Sequence, residues 1–195
     1  HKLEQLISED FKESIWLDKL NRIIRYTDYI CIKRYDAKGK LVGERRFVGL
    51  FTSLAYHNNA EHIPFLRNTA HQIISRSNLS PHGHAYKELR NIIEVFPRDD
   101  LFQGSVSELY TMCMGILRMQ DRPKIRLFGR KDVYGRFMSC LLYVPKEQYN
   151  ADLRRRIVPV LEKAFSSNEL SYTTQFSESL LARVHFMIRI DPHND

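Results

Sequence analysis

The order of hydrophobic periodicities between Ser105 and Ile190 constrains the fold more than any other feature of the sequence. Helical spacing over the first part gives way to two strand-like segments, then to a second helical segment and two more strands. This order is a circular shift of the ferredoxin-like β-α-β-β-α-β unit. We therefore predict an α+β unit over residues 103–195, with one antiparallel sheet and both helices packed on one of its faces.

Local residue types support both helices of this unit. Ser105 and Glu108 have the S-x-x-E spacing of a capping box, which satisfies exposed amides at a helix N-terminus. Asn150 or Asp152 is a suitable N-cap for the second helix. Pro159 lies inside that helix, at a cost of about 3 kcal/mol unless the helix kinks there.

The strands also have local signals. We predict them at residues 125–130, 136–144, 170–176 and 182–190. Gly135 lies between the first two and can take the positive φ that a tight hairpin needs.

Two further segments precede this unit. Residues 1–60 are predicted to hold N-terminal helical structure over Glu4–Arg25, followed by a β-hairpin. Its strands are 29–35 and 46–52, joined by the turn residues 36–39. Residues 61–102 are predicted to be a helical linker, with one helix beginning at Pro64 and another ending before Pro97.

Motifs for common catalytic chemistry do not occur in the sequence. There is no G-x-G-x-x-G or G-x-x-x-x-G-K phosphate-binding loop, and no G-x-S-x-G or H-E-x-x-H motif. We interpret Asp99 and Asp100 as turn residues that favour a nearby helix N-terminus rather than as an acid–base pair. The sequence therefore predicts no catalytic, cofactor-binding or metal-binding residue in this chain.

A group of histidines is the best alternative for a metal site. Five lie within 28 positions, namely His57, His62, His71, His82 and His84. The H-x-H spacing at 82–84 could place two imidazoles on one side of an extended loop. Because no cysteine or carboxylate stands at ligand spacing nearby, we interpret these histidines as solvated side chains.

The cysteines and the hydropathy predict the compartment in which the protein is found. Cys31, Cys113 and Cys140 are far apart in apolar runs, which is typical of free thiols in a reducing, cytoplasmic compartment. No window has eighteen uncharged apolar residues, so no membrane span is predicted. The chain begins with His1 and shows no signal peptide, so we expect a piece of a longer protein.

The net charge of +7 is concentrated in residues 121–156. That segment holds four acids and ten basic residues, the latter being Arg122, Lys124, Arg126, Arg130, Lys131, Arg136, Lys146, Arg154, Arg155 and Arg156. With interleaved aromatics, a basic surface of this kind is an alternative site for nucleic acid. The segment does not match the RNA-recognition consensus, so a solvated or subunit-facing surface is the favoured interpretation.

Longer strings of the sequence carry a specific resemblance. They are YTDYICIKRYDAKGKLVGERRFVGLFTSLAY (26–56), IPFLRNTAHQIISRS (63–77), FPRDDLFQGSVSEL (96–109), RPKIRLFGRKDVYGRFMSCLLYVPKEQYN (122–150) and SESLLARVHFMIRID (177–191). In this order and spacing the chain, from about Tyr26 to Asp191, closely resembles the N-terminal region of the large bacterial NAD-specific glutamate dehydrogenases.

The resemblance implies a parent enzyme that converts L-glutamate to 2-oxoglutarate and ammonia with NAD, using a catalytic lysine and a Rossmann domain far downstream. It implies that 1–60 ends a PAS-like unit and that 103–195 is an ACT-like unit. No cofactor is expected in this segment. ACT-like units often bind amino acids at domain interfaces. We therefore expect a noncatalytic regulatory or oligomerisation role, with other domains and subunits of the enzyme as partners and an amino acid as effector.

Overall fold

A computed structural model describes residues 28–49, 51–120, 124–132, 135–176 and 179–190. These residues fall into two compact units that separate between His57 and Asn58. Both contain helix and strand, and the sheets are antiparallel, so the predicted α+β class is confirmed. The three-part division at 60 and 102 stays a prediction. The helical segment predicted over 4–25 lies outside the described residues.

The described residues of the first unit form a hairpin followed by a short helix. Strand β1 (Asp28–Tyr35) pairs antiparallel with β2 (Leu41–Gly49), and α1 (Ser53–His57) follows. In the turn, the Asp36 carboxylate accepts the N–H groups of Lys38 and Lys40 at 2.8 and 2.9 Å. The predicted hairpin is confirmed, although β2 begins five residues earlier than predicted and ends before residue 52. Side chains of β2 are exposed along its whole length.

The second unit begins with a helical layer. Its elements are a 3-10 turn (Ala60–His62), α2 (Pro64–Ser77), α3 (His84–Val95), α4 (Arg98–Gln103) and α5 (Val106–Gln120). Pro64 is the first residue of α2, and α3 ends before Pro97, as predicted. The short α4 was not predicted, because six residues are too few to show a helical period.

A four-stranded antiparallel sheet completes the second unit. Its strands are β3 (Arg126–Lys131), β4 (Phe137–Pro145), β5 (Leu170–Phe176) and β6 (Leu181–Arg189), in the spatial order β3-β4-β6-β5. Helix α6 (Ala151–Ala164) connects β4 to β5, and β6 lies between those two strands. This is a split β-α-β arrangement, which agrees with the predicted ferredoxin-like order.

The two helices of this α+β unit pack on opposite faces of the sheet, and the prediction that they share one face is wrong. Leu141 and Tyr143 of β4 belong to the core formed with α5. Cys140, Leu142 and Val144 belong to the core formed with α6. Since successive strand residues point to opposite faces, α5 and α6 cover the two sides of β4. The reason is the apolar run of β4, which has hydrophobic surface on both faces to bury.

The predicted caps form. Glu108 N–H donates to Ser105 Oγ, and Ser105 N–H donates to the Glu108 carboxylate at 3.0 Å. Ser105 Oγ also donates to the Glu108 carboxylate, at 2.6 Å, and the two hydrogen bonds that the carboxylate accepts from Ser105, first the one from Oγ and then the one from N–H, lower the pKa of Glu108. Asn150 is the N-cap of α6, where its Oδ1 accepts Leu153 N–H at 2.8 Å. Gly135 has φ of 67° in the predicted hairpin turn, and Pro159 lies inside α6 without ending it.

Candidate functional site

A buried polar cluster joins α4 to the sheet. Asp100, in the first turn of α4, is 1% exposed, and Arg130 of β3 is 3% exposed. Arg130 donates from Nε and Nη2 to Asp100 Oδ1, at 2.8 and 2.6 Å. Ser139 of β4 donates from Oγ to Asp100 Oδ2 at 2.7 Å. Burying a charge is costly unless it is paired and hydrogen-bonded, so these partners stabilise the buried carboxylate.

His185 of β6 extends the cluster to a third strand. Its Nε2 lies 2.8 Å from Ser139 Oγ and 3.8 Å from Asp100 Oδ2. Because the hydroxyl hydrogen is donated to Asp100, Nε2 must carry a proton and donate to Ser139. Burial lowers the pKa of His185, an effect that Asp100 opposes and Arg183 reinforces. Burial therefore favours the neutral imidazole, with its proton on Nε2.

The residue types Ser, His and Asp also form hydrolytic triads, but the hydrogen bonds here run in a different order. In a triad the histidine accepts the serine proton, whereas Ser139 donates its proton to Asp100. Ser139 is also only 1% exposed, so a substrate carbonyl has no access to its Oγ. The geometry holds α4 against β3, β4 and β6, and it does not provide an activated nucleophile.

A second group of charged side chains lies in the helical layer, beside two cavities. The smaller cavity has a volume of about 190 Å³ and lies between the 3-10 turn, α2 and α3. The larger, open cavity has a volume of about 880 Å³ and extends along the α2–α3 loop. Glu61, Ile74 and Arg90 line both. The boundary between the cavities is therefore formed partly by the ion pair of Glu61 with Arg90, whose closest atoms are 2.6 Å apart.

Glu94 connects this region to α4. Its Oε2 accepts the N–H of Ala60 at 2.9 Å, and its Oε1 accepts from Arg98 Nη2 at 2.7 Å. The same Nη2 donates to the Asn58 carbonyl at 3.0 Å. In the described part of the chain, Nε and Nη1 of Arg98 have no hydrogen-bond partner. Glu94 thus fixes both the start of the 3-10 turn and the first residue of α4.

Comparison with known families assigns the helical layer and the four-stranded sheet to two consecutive domains. Residues 63–122 match helical motif 1 of glutamate dehydrogenase, and residues 126–195 match its ACT2 domain. The chain belongs to the glutamate dehydrogenase family. The resemblance found in the sequence is thereby confirmed.

Full-length relatives support the same assignment. The chain is 46% identical over 167 residues to the NAD-specific glutamate dehydrogenase of Pseudomonas aeruginosa. The aligned residues make up 86% of this chain and 10% of that protein. The chain is 41% identical over 166 residues to the NAD-specific glutamate dehydrogenase of Halomonas elongata (85% and 10%) and 30% identical over 175 residues to that of Mycobacterium tuberculosis (88% and 11%). The chain thus spans about a tenth of the length of these relatives.

In this glutamate dehydrogenase segment, the buried cluster crosses the boundary between the two matched domains. Asp100 belongs to helical motif 1, whereas Arg130, Ser139 and His185 belong to the ACT2 domain. The prediction that Asp99 and Asp100 are turn residues is wrong, because both lie in the first turn of α4. The pairing of Asp100 was missed. The sequence signal for the burial of Arg130 was its position two residues after Phe128 in β3. Residues two apart in a strand lie on the same face, so both lie on the face that α5 covers.

The predicted basic surface is not one surface in this glutamate dehydrogenase segment. Arg130 is buried, contrary to the prediction. Arg126 lies 4.9 Å from the centre of the Phe128 ring, on the α5 face of the sheet. Arg154 lies 5.2 Å from the centre of the Tyr172 ring and belongs to α6, which covers the other face. The predicted site is therefore divided between two sides of the sheet, and Arg122 lies outside the described residues.

The histidines likewise fall on separate elements. His84 is the first residue of α3, so the extended loop expected around 82–84 is wrong at that position. His57 Nδ1 lies 2.8 Å from the Ser53 carbonyl, and His71 lines the larger cavity. Over the described ranges, no three His, Cys, Asp or Glu residues could hold a metal ion together. Among the helices that the structure describes, none has both the length and the hydrophobicity of a membrane-spanning segment.

Proposed function

We propose that this chain is a noncatalytic segment of an enzyme that oxidises L-glutamate to 2-oxoglutarate and ammonia with NAD. The observation that carries the proposal is the match of two consecutive glutamate dehydrogenase domains, together with relatives named NAD-specific glutamate dehydrogenase. NAD and the catalytic lysine are assigned to parts of the enzyme outside this segment. We place the enzyme in the cytoplasm, in keeping with the free, buried thiols of Cys113 and Cys140.

The segment itself serves assembly and regulation. Its polar groups support this role, because the buried cluster connects helical motif 1 to three strands of the ACT2 domain. A rigid connection of this kind transmits a displacement of the helical layer to the sheet. Other domains and subunits of the enzyme are the proposed partners, and an amino acid is the proposed effector. Nucleic acid is not retained as a partner, since the basic residues lie on both sides of the sheet.

The hairpin of β1 and β2 is proposed to end a larger PAS-like sheet. A two-stranded sheet is at best marginally stable alone. Ile30 and Phe47 are paired across the strands, yet they are 46% and 54% exposed. Apolar side chains of this kind are expected to be covered by further parts of the parent chain.

The test uses the full-length enzyme. Purified enzyme is expected to reduce NAD with L-glutamate, and absence of this turnover would refute the parent activity. The Asp100→Asn variant is expected to alter subunit assembly, measured by sedimentation, or the response to added amino acids. Its KM values for L-glutamate and NAD should equal those of the wild type. Changed KM values with unchanged assembly and amino-acid response would instead place this segment at the catalytic site.

A further inference from the structure

The small cavity between the 3-10 turn, α2 and α3 combines charge with apolar surface. The charged groups at its opening are Arg90 and Glu61, which form a two-pronged pair: Nε donates to Oε1 at 2.9 Å and Nη2 to Oε2 at 2.6 Å. Ala70, Ile74 and Ile93 provide apolar surface in its lining, and Asn59 and Asn91 provide amides. The cavity therefore presents one cation, one anion and an apolar wall within a small volume.

The ion pair is exposed enough to exchange partners. The side chains of Arg90 and Glu61 are 47% and 32% exposed. Solvent screens a partly exposed pair of this kind, and a ligand that supplies both charges replaces the two contacts that it opens. An anion alone would leave Glu61 unpaired beside it, and an amine alone would leave Arg90 unpaired. Complementarity to both residues requires a ligand that carries an anionic group and a cationic group close together in one molecule.

The other carboxylate of the cavity does not compete for such a ligand. Both oxygens of Glu94 are engaged, one by the Ala60 N–H and the other by Arg98. The negative charge of Glu94 is therefore already compensated within the protein. The volume of about 190 Å³ lies below the range of pockets that take drug-sized ligands, so the cavity selects a small molecule.

We infer that this cavity binds the zwitterion of a small amino acid with an apolar side chain. The α-carboxylate accepts from the guanidinium of Arg90, the α-ammonium donates to Glu61, and the side chain lies against Ala70, Ile74 and Ile93. This inference rests on the proposed regulatory function and adds to it a location and a ligand class. The site lies mainly in helical motif 1, apart from the four-stranded sheet.

Equilibrium dialysis on the full-length enzyme tests the inference. L-alanine and L-valine are the probes, and saturating L-glutamate is added to occupy the proposed catalytic site. Both probes are expected to bind saturably. Arg90→Gln and Glu61→Gln should each weaken binding at least tenfold. The matched control is Arg155→Gln, which opens another exposed pair, with Asp152 on α6, and should leave the affinity unchanged.

Analogues that carry only one charge provide a second measurement without mutation. Propanoate lacks the ammonium group of alanine and ethylamine lacks its carboxylate, so each should bind at least tenfold more weakly than L-alanine. Saturable binding that both Arg90→Gln and Glu61→Gln leave unchanged would overturn the cavity as the site, while the regulatory proposal would stand. No saturable binding of either probe would also overturn this inference. Absence of glutamate turnover, measured separately, would overturn the proposed function itself.

Discussion

The buried ion pair between Asp100 and Arg130 predicts a large local effect of one substitution. Arg130→Met removes both donors to Asp100 Oδ1 and leaves the carboxylate with Ser139 as its hydrogen-bond donor. The two side chains are 1% and 2% exposed, so water does not replace the lost partner. Removing one member of such a pair costs about 3–5 kcal/mol.

The assay is hydrogen exchange of the full-length enzyme, followed in peptides that cover α4 and β3. A loss of about 3 kcal/mol corresponds to an increase in local opening of roughly a hundredfold, because each factor of ten is 1.36 kcal/mol. The matched control is Arg155→Gln, whose pair with Asp152 is 75% and 78% exposed, and which should change exchange in α6 by a factor of five or less.

The double variant Asp100→Leu/Arg130→Met separates the charge effect from the loss of packing. Replacing both members of a buried pair by apolar residues is often close to neutral. We therefore expect exchange in α4 to return most of the way to the wild-type rate. If Arg130→Met raised exchange no more than the Arg155→Gln control, the assignment of this pair as the connection between α4 and the sheet would be refuted.

Three further predictions concern local features, each followed in the full-length enzyme. Asn150→Ala removes the cap of α6 and should destabilise that helix by about 1 kcal/mol, seen as faster exchange at 151–164; unchanged exchange would contradict the cap. His185 has a lowered pKa in the folded state, so the unfolded state binds more protons below about pH 6.5. Local stability of β6 should therefore fall as pH falls through that region, and His185→Gln should remove this part of the dependence. Gly115→Ala places a Cβ 2.7 Å from the Phe128 ring. Although alanine has the better helix propensity, this contact should destabilise α5 by up to about 2 kcal/mol. A stabilised variant would show that the ring moves away freely.

Features decided within a few residues were predictable from the sequence. The capping box of Ser105 and Glu108, the Asn150 cap and the positive φ of Gly135 each depend on neighbours in the chain. The period-two alternation placed the strands of the four-stranded sheet to within about one residue. By contrast, the partner of Asp100 lies 30 residues away, and no local pattern states that distance.

The side on which each helix packs was the main structural error, and its cause lies in β4. The prediction that both helices share one face took account of the apolar stripe on each helix. It did not take account of the two apolar faces of β4. Residues 139–145 of β4 are all buried, so this strand needs cover on both sides. An apolar run without alternation is the sequence signal for that situation, and it favours helices on opposite faces.

The position of α4 connects the proposed ligand site in the helical layer to the ACT2 domain. Arg98, its first residue, is held by Glu94, which also holds the start of the 3-10 turn beside the small cavity. Asp100, two residues later, is held by β3 and β4. We therefore expect a change in the 3-10 turn to pass through Glu94 and Arg98 to Asp100, the carboxylate that the strands bind. Breaking the buried pair is far more costly than opening the exposed pair at the cavity, so we expect the sheet to follow α4 rather than release it.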